Sequence, residues 1–261
     1  MRLMVFTDLD NCLLDHDTYE WRPALPALDR LRRAGAAIVL TTSKTAAEVL
    51  PLQAELGLEG PVIAENGGLL AWADGRRRWL GRAVSEIRPL LDEAALQAQA
   101  TIRPFGRMSV EEVARRTSLP PERAPLALAR ESSEPFVLEN PEREDVLRAA
   151  LEARGLRLTR GGRFHHALAH DGKHAAVRLL LEEARQTGPS VSIGLGDGLN
   201  DEGFLREVDY AVVMPGAHAP VLLERLPSAT LAPAAGPAGW RDAVQNLLDA
   251  LFHPGDIASR D

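Results

Sequence analysis

Two short acidic motifs stand out, Asp8-Leu9-Asp10 and Gly196-Asp197-Gly198-Leu199-Asn200-Asp201. Residues two apart in an extended chain point the same way. Asp8 and Asp10 can therefore share a hard cation, or divide into a nucleophile and a general acid/base. A solvated Asp-x-Asp loop would carry the same letters. In the second motif the glycines permit close backbone approach, and Asp197 and Asp201 share one face if a helix starts there. An acidic surface turn is the competing explanation.

The chain carries its positive charge as twenty-eight arginines and only two lysines. Lys44 closes Leu40-Thr41-Thr42-Ser43-Lys44, and Lys173 sits in His170-Asp171-Gly172-Lys173-His174. A compact ammonium suits a point charge aimed at an anion better than a planar guanidinium fork does. Hydroxyls and N–H groups at a strand-to-helix turn suit phosphoryl oxygens, although Thr42 and Ser43 could equally cap a helix. Lys173 in a first helical turn runs against the macrodipole, so an anion is expected beside it. A solvent-facing lysine near Asp171 is the alternative. Asn66, in Glu65-Asn66-Gly67-Gly68, is a further site candidate or part of a tight turn. The histidines at 165, 166, 170 and 174 could suggest zinc, but their oxygen-rich company and the lack of thiolates favour Mg²⁺. His165 and His166 read as ordinary loop or strand residues.

These motifs need elements to position them. Short apolar runs at residues 3–6, 36–40, 61–64, 191–195 and 210–214 have no strict alternation, as expected of strands buried on both faces. Helical patterns at 26–34, 45–56 and 173–184 separate them, the last with Asp171 as N-cap. Strand–helix alternation predicts an α/β fold with a doubly wound parallel sheet, whose strand carboxyl ends form the ligand crevice. The middle of the chain differs. Candidate strands at 68–72, 78–80, 135–138 and 156–160 run with helices at 84–100, 110–118 and 142–154, and loops at 119–125 and 161–162. The predicted organisation is a core at 1–82 and 167–261, with an inserted α+β cap domain at 83–166. Residues 253–261 are expected to fray.

At 261 residues the chain can hold two lobes. Its net charge of −7 argues against a nucleic-acid partner, yet a local cluster of cations can still attract an anionic substrate. Its one cysteine, Cys12, excludes an internal disulfide and fits a reducing cytoplasm. The N-terminal apolar run is too short for a signal peptide, and no stretch approaches about 18 apolar residues. The expectation is a cytoplasmic protein with no membrane partner, as a monomer or homodimer.

Asp8-x-Asp10 after the first strand, Thr42 after the second, Lys173, and Gly-Asp-x-x-Asn-Asp, in that order, resemble the four motifs of the haloacid dehalogenase superfamily. The long insertion between Thr42 and Lys173 matches the class with an α+β cap between the second and third motifs. Within that class, Phe6-Thr7-Asp8-Leu9-Asp10, Thr42-Ser43-Lys44-Thr45, Met108-Ser109-Val110-Glu111-Glu112, Ser133-Glu134-Pro135-Phe136, Gly162-Arg163-Phe164 and Gly236-Pro237-x-Gly239-Trp240 look like the mannosyl-3-phosphoglycerate phosphatases. The resemblance implies a small-molecule substrate, a phosphorylated sugar acid, hydrolysed through an aspartyl-phosphate. Asp8 would be the nucleophile and Asp10 the acid/base. Mg²⁺ would be held by Asp8, the Asp10 backbone carbonyl and Asp197. Thr42 and Lys173 would grip the phosphoryl oxygens, helped by Ser43 and Asn200, and Asp201 would orient Lys173 or a metal-bound water. Lys44 and Asn66 are further substrate-binding candidates. Cap residues Arg130, Glu134 and Arg163 would give specificity, with Glu134 meeting sugar hydroxyls. A glucosyl or other hexose-phosphate substrate, a phosphosugar mutase and a non-catalytic sugar-phosphate sensor remain alternatives. The chain departs from the superfamily at Asn11-Cys12, where Gly-Thr is usual. Asn tolerates the left-handed backbone a glycine would take, whereas Cys12 removes a hydroxyl.

Overall fold

The computed structural model describes residues 2–161 and 164–252. In chain order the elements are β1 (Arg2–Thr7), α1 (Leu25–Arg33), β2 (Ala37–Leu40), α2 (Ala46–Glu55), β3 (Val62–Ala64), β4 (Leu69–Ala71), β5 (Arg77–Trp79), α3 (Val84–Ala98), β6 (Ile102–Pro104), α4 (Val110–Thr117), α5 (Ala124–Leu128), β7 (Ser133–Leu138), α6 (Glu144–Glu152), β8 (Arg157–Gly161), β9 (Phe164–Leu168), α7 (Lys173–Gln186), β10 (Ser190–Gly196), α8 (Glu202–Leu205), β11 (Tyr210–Val213), α9 (Ala219–Arg225), β12 (Thr230–Leu231) and α10 (Gly236–Leu251). They form two compact units, Met1–Thr41 with Val177–Asp261, and Thr42–Ala176. The second is wider than the insertion expected at 83–166, and its far boundary runs through α7.

The first unit holds one five-stranded sheet in the order β12-β11-β10-β1-β2, parallel throughout. β1 buries every residue from Leu3 to Thr7, so both of its faces are covered, which is why its sequence is an unbroken apolar run. The chain order reverses across β1, which has β2 on one side and β10 on the other. Such a switch point opens the crevice of an α/β sheet at the strand carboxyl ends. The register sets those ends side by side, with Thr7 opposite both Leu40 and Leu195.

The second unit contains the antiparallel sheets β3-β4-β5 and β6-β7-β9-β8. The run at 61–64, expected in the parallel sheet, forms β3 but is not a member of it. Its ladder partner is β4, a hairpin neighbour reached through the turn at 65–68. An apolar run shows burial but not the direction of pairing. Helices α3 and α6 cover one face of the four-stranded sheet through Ile87, Leu91, Phe136, Leu147, Leu158 and Ala167. A second cluster around Phe105, Val113 and Ala127 meets Val137 and Phe164, which alternate with Phe136 and His165 along their strands. α5 occupies part of the expected loop at 119–125, while Gly162 and the tail at 253–261 lie outside the described residues.

Candidate active site

Asp8 is the first residue after β1, and its N–H donates to the Leu195 carbonyl of β10 at 2.9 Å. Asp197 follows β10 directly. Carboxylate oxygens of Asp8, Asp197 and Asp201 lie within 4.8 Å of one another. Asp8 and Asp201 are buried and Asp197 is half-buried. Oδ2 of Asp201 accepts the N–H groups of Asp197 and Gly198 at 3.0 and 2.9 Å, closing the 196–201 turn around itself. Converging buried carboxylates repel unless a cation joins them. An all-oxygen donor set of this kind fits a hard divalent cation, so the residues present suit the expected metal. The carboxylate of Asp10 is not part of this group among the described residues, and Asn200 sits half-buried on the same turn.

A buried layer supports the Asp8 loop. Thr7 Oγ1 donates to the Asp8 carbonyl at 2.8 Å and accepts the indole N–H of Trp240 at 3.0 Å. The Cys12 sulfur lies 3.5 Å from the same hydroxyl, where the superfamily usually has its own hydroxyl. Burial first, and then the Asp8 charge, pushes the Cys12 thiol well above its ordinary pKa. The N–H of Gly236 donates to the Asn11 carbonyl at 3.3 Å. A side chain at Gly239 would collide with the Ala234 carbonyl, which accounts for glycine there. Asn11 adopts φ 56°, the left-handed backbone expected from sequence.

The second unit assembles the other candidates. Thr42 N–H donates to the Ile63 carbonyl, Asn66 N–H to the Thr42 carbonyl and Glu65 N–H to the Lys44 carbonyl, each at 2.9 Å. The segment after β2 thus runs beside β3. Thr42 Oγ1 accepts the Lys44 N–H at 3.1 Å, and Thr45 with Glu48 forms a capping box that starts α2. Lys173 is 1% exposed, the second-unit counterpart of a buried charge that needs company. Gly67 packs against the backbone before it: at φ +99° a Cβ there would strike the Gly172 carbonyl. His170 Nδ1 accepts the Gly172 N–H at 3.1 Å and shapes the turn into α7. Asp171 pairs with Arg157 at 2.8 Å.

The cap candidates divide. Arg130 Nη1 donates to the Ser43 carbonyl at 2.8 Å and its Nε to Ala127 at 2.9 Å, tying it to the Thr42 turn. Glu134 is 0% exposed. Its oxygens accept Arg88 Nε at 2.8 Å and the Gly106 N–H at 2.6 Å. Arg88 and Gly106 thus hold the carboxylate that was expected to meet sugar hydroxyls. Arg163 lies outside the described residues. Glu65, missed from sequence, is buried and accepts Glu131 N–H, Ser132 N–H and Ser133 Oγ at 2.7, 3.0 and 2.6 Å, fixing the entry to β7.

A family model of haloacid dehalogenase-like hydrolases matches residues 5–78. A glucosyl-3-phosphoglycerate/mannosyl-3-phosphoglycerate phosphatase of Persephonella marina is 34% identical over 95% of this chain and 98% of its own. A protein of the same description from Methanococcoides burtonii is 35% identical over the same shares. The chain belongs to the haloacid dehalogenase-like hydrolases. The fold agrees: a haloacid dehalogenase-like hydrolase from B. subtilis superposes with a TM-score of 0.70 at 16% identity, covering 95% of this chain and 99% of that one. Within this hydrolase, Asp8, Asp10, Thr42 and Asn66 fall inside the matched residues. Sequence reasoning missed the side-chain role of Asn11 and the Trp240 anchor. The signal for Trp240 was its place after Gly236 and Gly239, since a buried indole N–H seeks an acceptor.

Proposed function

We propose that the protein is a Mg²⁺-dependent phosphatase that hydrolyses a phosphorylated sugar acid, glucosyl- or mannosyl-3-phosphoglycerate, to the hexosylglycerate and inorganic phosphate. The likeness to the two relatives runs along nearly the whole of all three chains. The observation that carries the chemistry is the convergence of Asp197 and Asp201 on Asp8 at the switch point of the parallel sheet.

On this reading an Asp8 oxygen attacks phosphorus, the bond to the sugar-acid oxygen breaks, and Asp10 supplies that oxygen with a proton. Water then attacks the aspartyl-phosphate, Asp10 takes its proton, and the Asp8 carboxylate is released with phosphate. Thr42 and Lys173 hold the transferring oxygens, with Ser43, Asn66 and Asn200 as neighbours. Asp8, Asp197 and Asp201 would hold the cation, with the Asp10 carbonyl as a further oxygen donor. When bound, the ion neutralises charge on the nucleophile and the phosphoryl group. No helix among the described residues is long and apolar enough to cross a membrane, which is compatible with action in the cytoplasm on a dissolved substrate.

Phosphate release from a panel of phosphorylated sugar acids and hexose phosphates, with and without Mg²⁺, tests the proposal. Metal-dependent release from glucosyl- or mannosyl-3-phosphoglycerate well above the rest is expected. Release from hexose phosphates alone would overturn the substrate, and phosphate returned to a sugar without net release would indicate a mutase.

A further inference from the structure

Thr159 on β8 and His166 on β9 stand directly opposite each other in the antiparallel ladder, and Pro135 of β7 continues the rung. Their neighbours Leu158 and Ala167 point into the core under α3 and α6. By the alternation of strands, Thr159 and His166 face the other side of the sheet. Thr159 Oγ1 and His166 Nδ1 are both buried, and neither has a hydrogen-bond partner among the described residues. A buried polar atom left unpaired opposes folding, and native chains keep few of them. Two on one rung call for a reason.

The surroundings of the rung supply one. Charges of Arg130 and Lys173 both act on the His166 imidazole. Arg130 in turn holds the carbonyl of Ser43, next to Thr42. The rung therefore lies within reach of Lys173 and Arg130, in the same unit as Thr42 and Ser43. Burial, reinforced by those cations, brings the His166 pKa down to about 3, so the ring is neutral throughout the physiological range. A neutral imidazole and a hydroxyl can each donate or accept. Such a pair brackets a ligand hydroxyl, donating from one side and accepting on the other, whereas a carboxylate would favour the arginine.

We propose that Thr159 and His166 form a subsite that reads a hydroxyl of the leaving group, making them specificity-determining residues of this phosphatase. The inference rests on the reading of a polyhydroxylated phosphate ester as substrate. Thr159→Val removes the hydroxyl and His166→Leu removes both ring nitrogens, each at similar volume. Their kcat/KM is measured on the best hydroxylated ester of the substrate panel and on p-nitrophenyl phosphate, alongside the melting temperature and Mg²⁺ affinity. The ratio of the two kcat/KM values should fall at least tenfold, mainly through KM for the hydroxylated ester. Thr159→Val should melt no lower than the parent protein, because its hydroxyl bonds nothing in the fold. An unchanged ratio, or equal losses on both esters with a lowered melting temperature, overturns the subsite and makes the pair a packing feature. A parent enzyme that prefers no hydroxylated ester at all fails on the substrate class itself, a different result.

Discussion

Asn11 Nδ2 donates to Asp197 Oδ2 at 3.1 Å and to the Pro215 carbonyl at 3.3 Å, joining the loops after β1, β10 and β11. Glycine would take the same left-handed backbone without strain but could not make these bonds. Asn11 thus both turns the chain and holds a candidate metal ligand in place. Asn11→Gly keeps the turn and removes the amide. It should weaken Mg²⁺ binding about tenfold, the value of one hydrogen bond to a charged group. Asn11→Ala should lose as much affinity and also about 1 kcal/mol of stability, because alanine keeps a Cβ in left-handed backbone without the polar side chain that lets asparagine tolerate it. Calorimetric titration with Mg²⁺ and thermal melts separate the two effects. Unchanged affinity in Asn11→Gly would refute the link.

The roles of the aspartates can be separated in the same way. Asp8→Asn should fold and lose essentially all turnover, because a neutral amide is a poor nucleophile. Asp10→Asn should lose about 10²–10⁴-fold in kcat, the usual worth of general acid/base help. It should leave metal affinity intact, since its carboxylate lies outside the group of three. Asp197→Asn should lose metal affinity first. If Asp10→Asn instead weakened Mg²⁺ binding and spared turnover at saturating metal, the two assignments would be exchanged.

The parallel core was readable because strands buried on both faces leave unbroken apolar runs, and all five such runs became strands. The run at 61–64 misled on pairing, since burial looks the same in a hairpin. β6 left no signal, being a three-residue edge strand of Ile102, Arg103 and Pro104 with its arginine exposed. The acidic group of Asp8, Asp197 and Asp201 was legible because residue type and position after a strand both constrain it. Glu134 was not, because sequence carries no information on whether a carboxylate is already spent on Arg88 and a backbone N–H. Asn11 was half legible: its backbone freedom follows from residue type, whereas its bond to Asp197 spans 186 positions.

Two buried imidazoles give the fold an acid-sensitive range. Burial is the main cause holding the pKa of His166 down to about 3 and that of His170 to about 4, against an ordinary value of 6.5. Unfolding restores the ordinary value. Between pH 6.5 and 4 the unfolded chain therefore binds more protons than the folded one, so stability falls as pH falls. Each imidazole contributes a slope of at most about 1.4 kcal/mol per pH unit within that window, and nothing above it. Urea unfolding from pH 7.5 to 4.5 should show a plateau followed by this decline. His166→Leu should roughly halve the slope near pH 5. A decline as steep as the parent's would place the proton uptake elsewhere.

Lys173 and Lys44 make a paired test of the phosphate grip. Lys173 is almost wholly buried, 1% exposed. A longer planar fork has no room there and cannot place a point charge where the ammonium sits. Lys173→Arg should therefore cost at least about 10²-fold in kcat/KM, or about 2.7 kcal/mol of transition-state stabilisation. The loss should be equal for every phosphate ester, because the contact is to the transferring group. Lys44 is half-buried, and the bonds that fix its turn come from its backbone N–H and carbonyl. Lys44→Arg should cost about tenfold or less. No third lysine exists to substitute for either. Circular dichroism and Mg²⁺ titration check that each variant folds and binds metal. Near-parental turnover in Lys173→Arg would mean that lysine scarcity reflects composition alone and that the phosphoryl group is held by other residues.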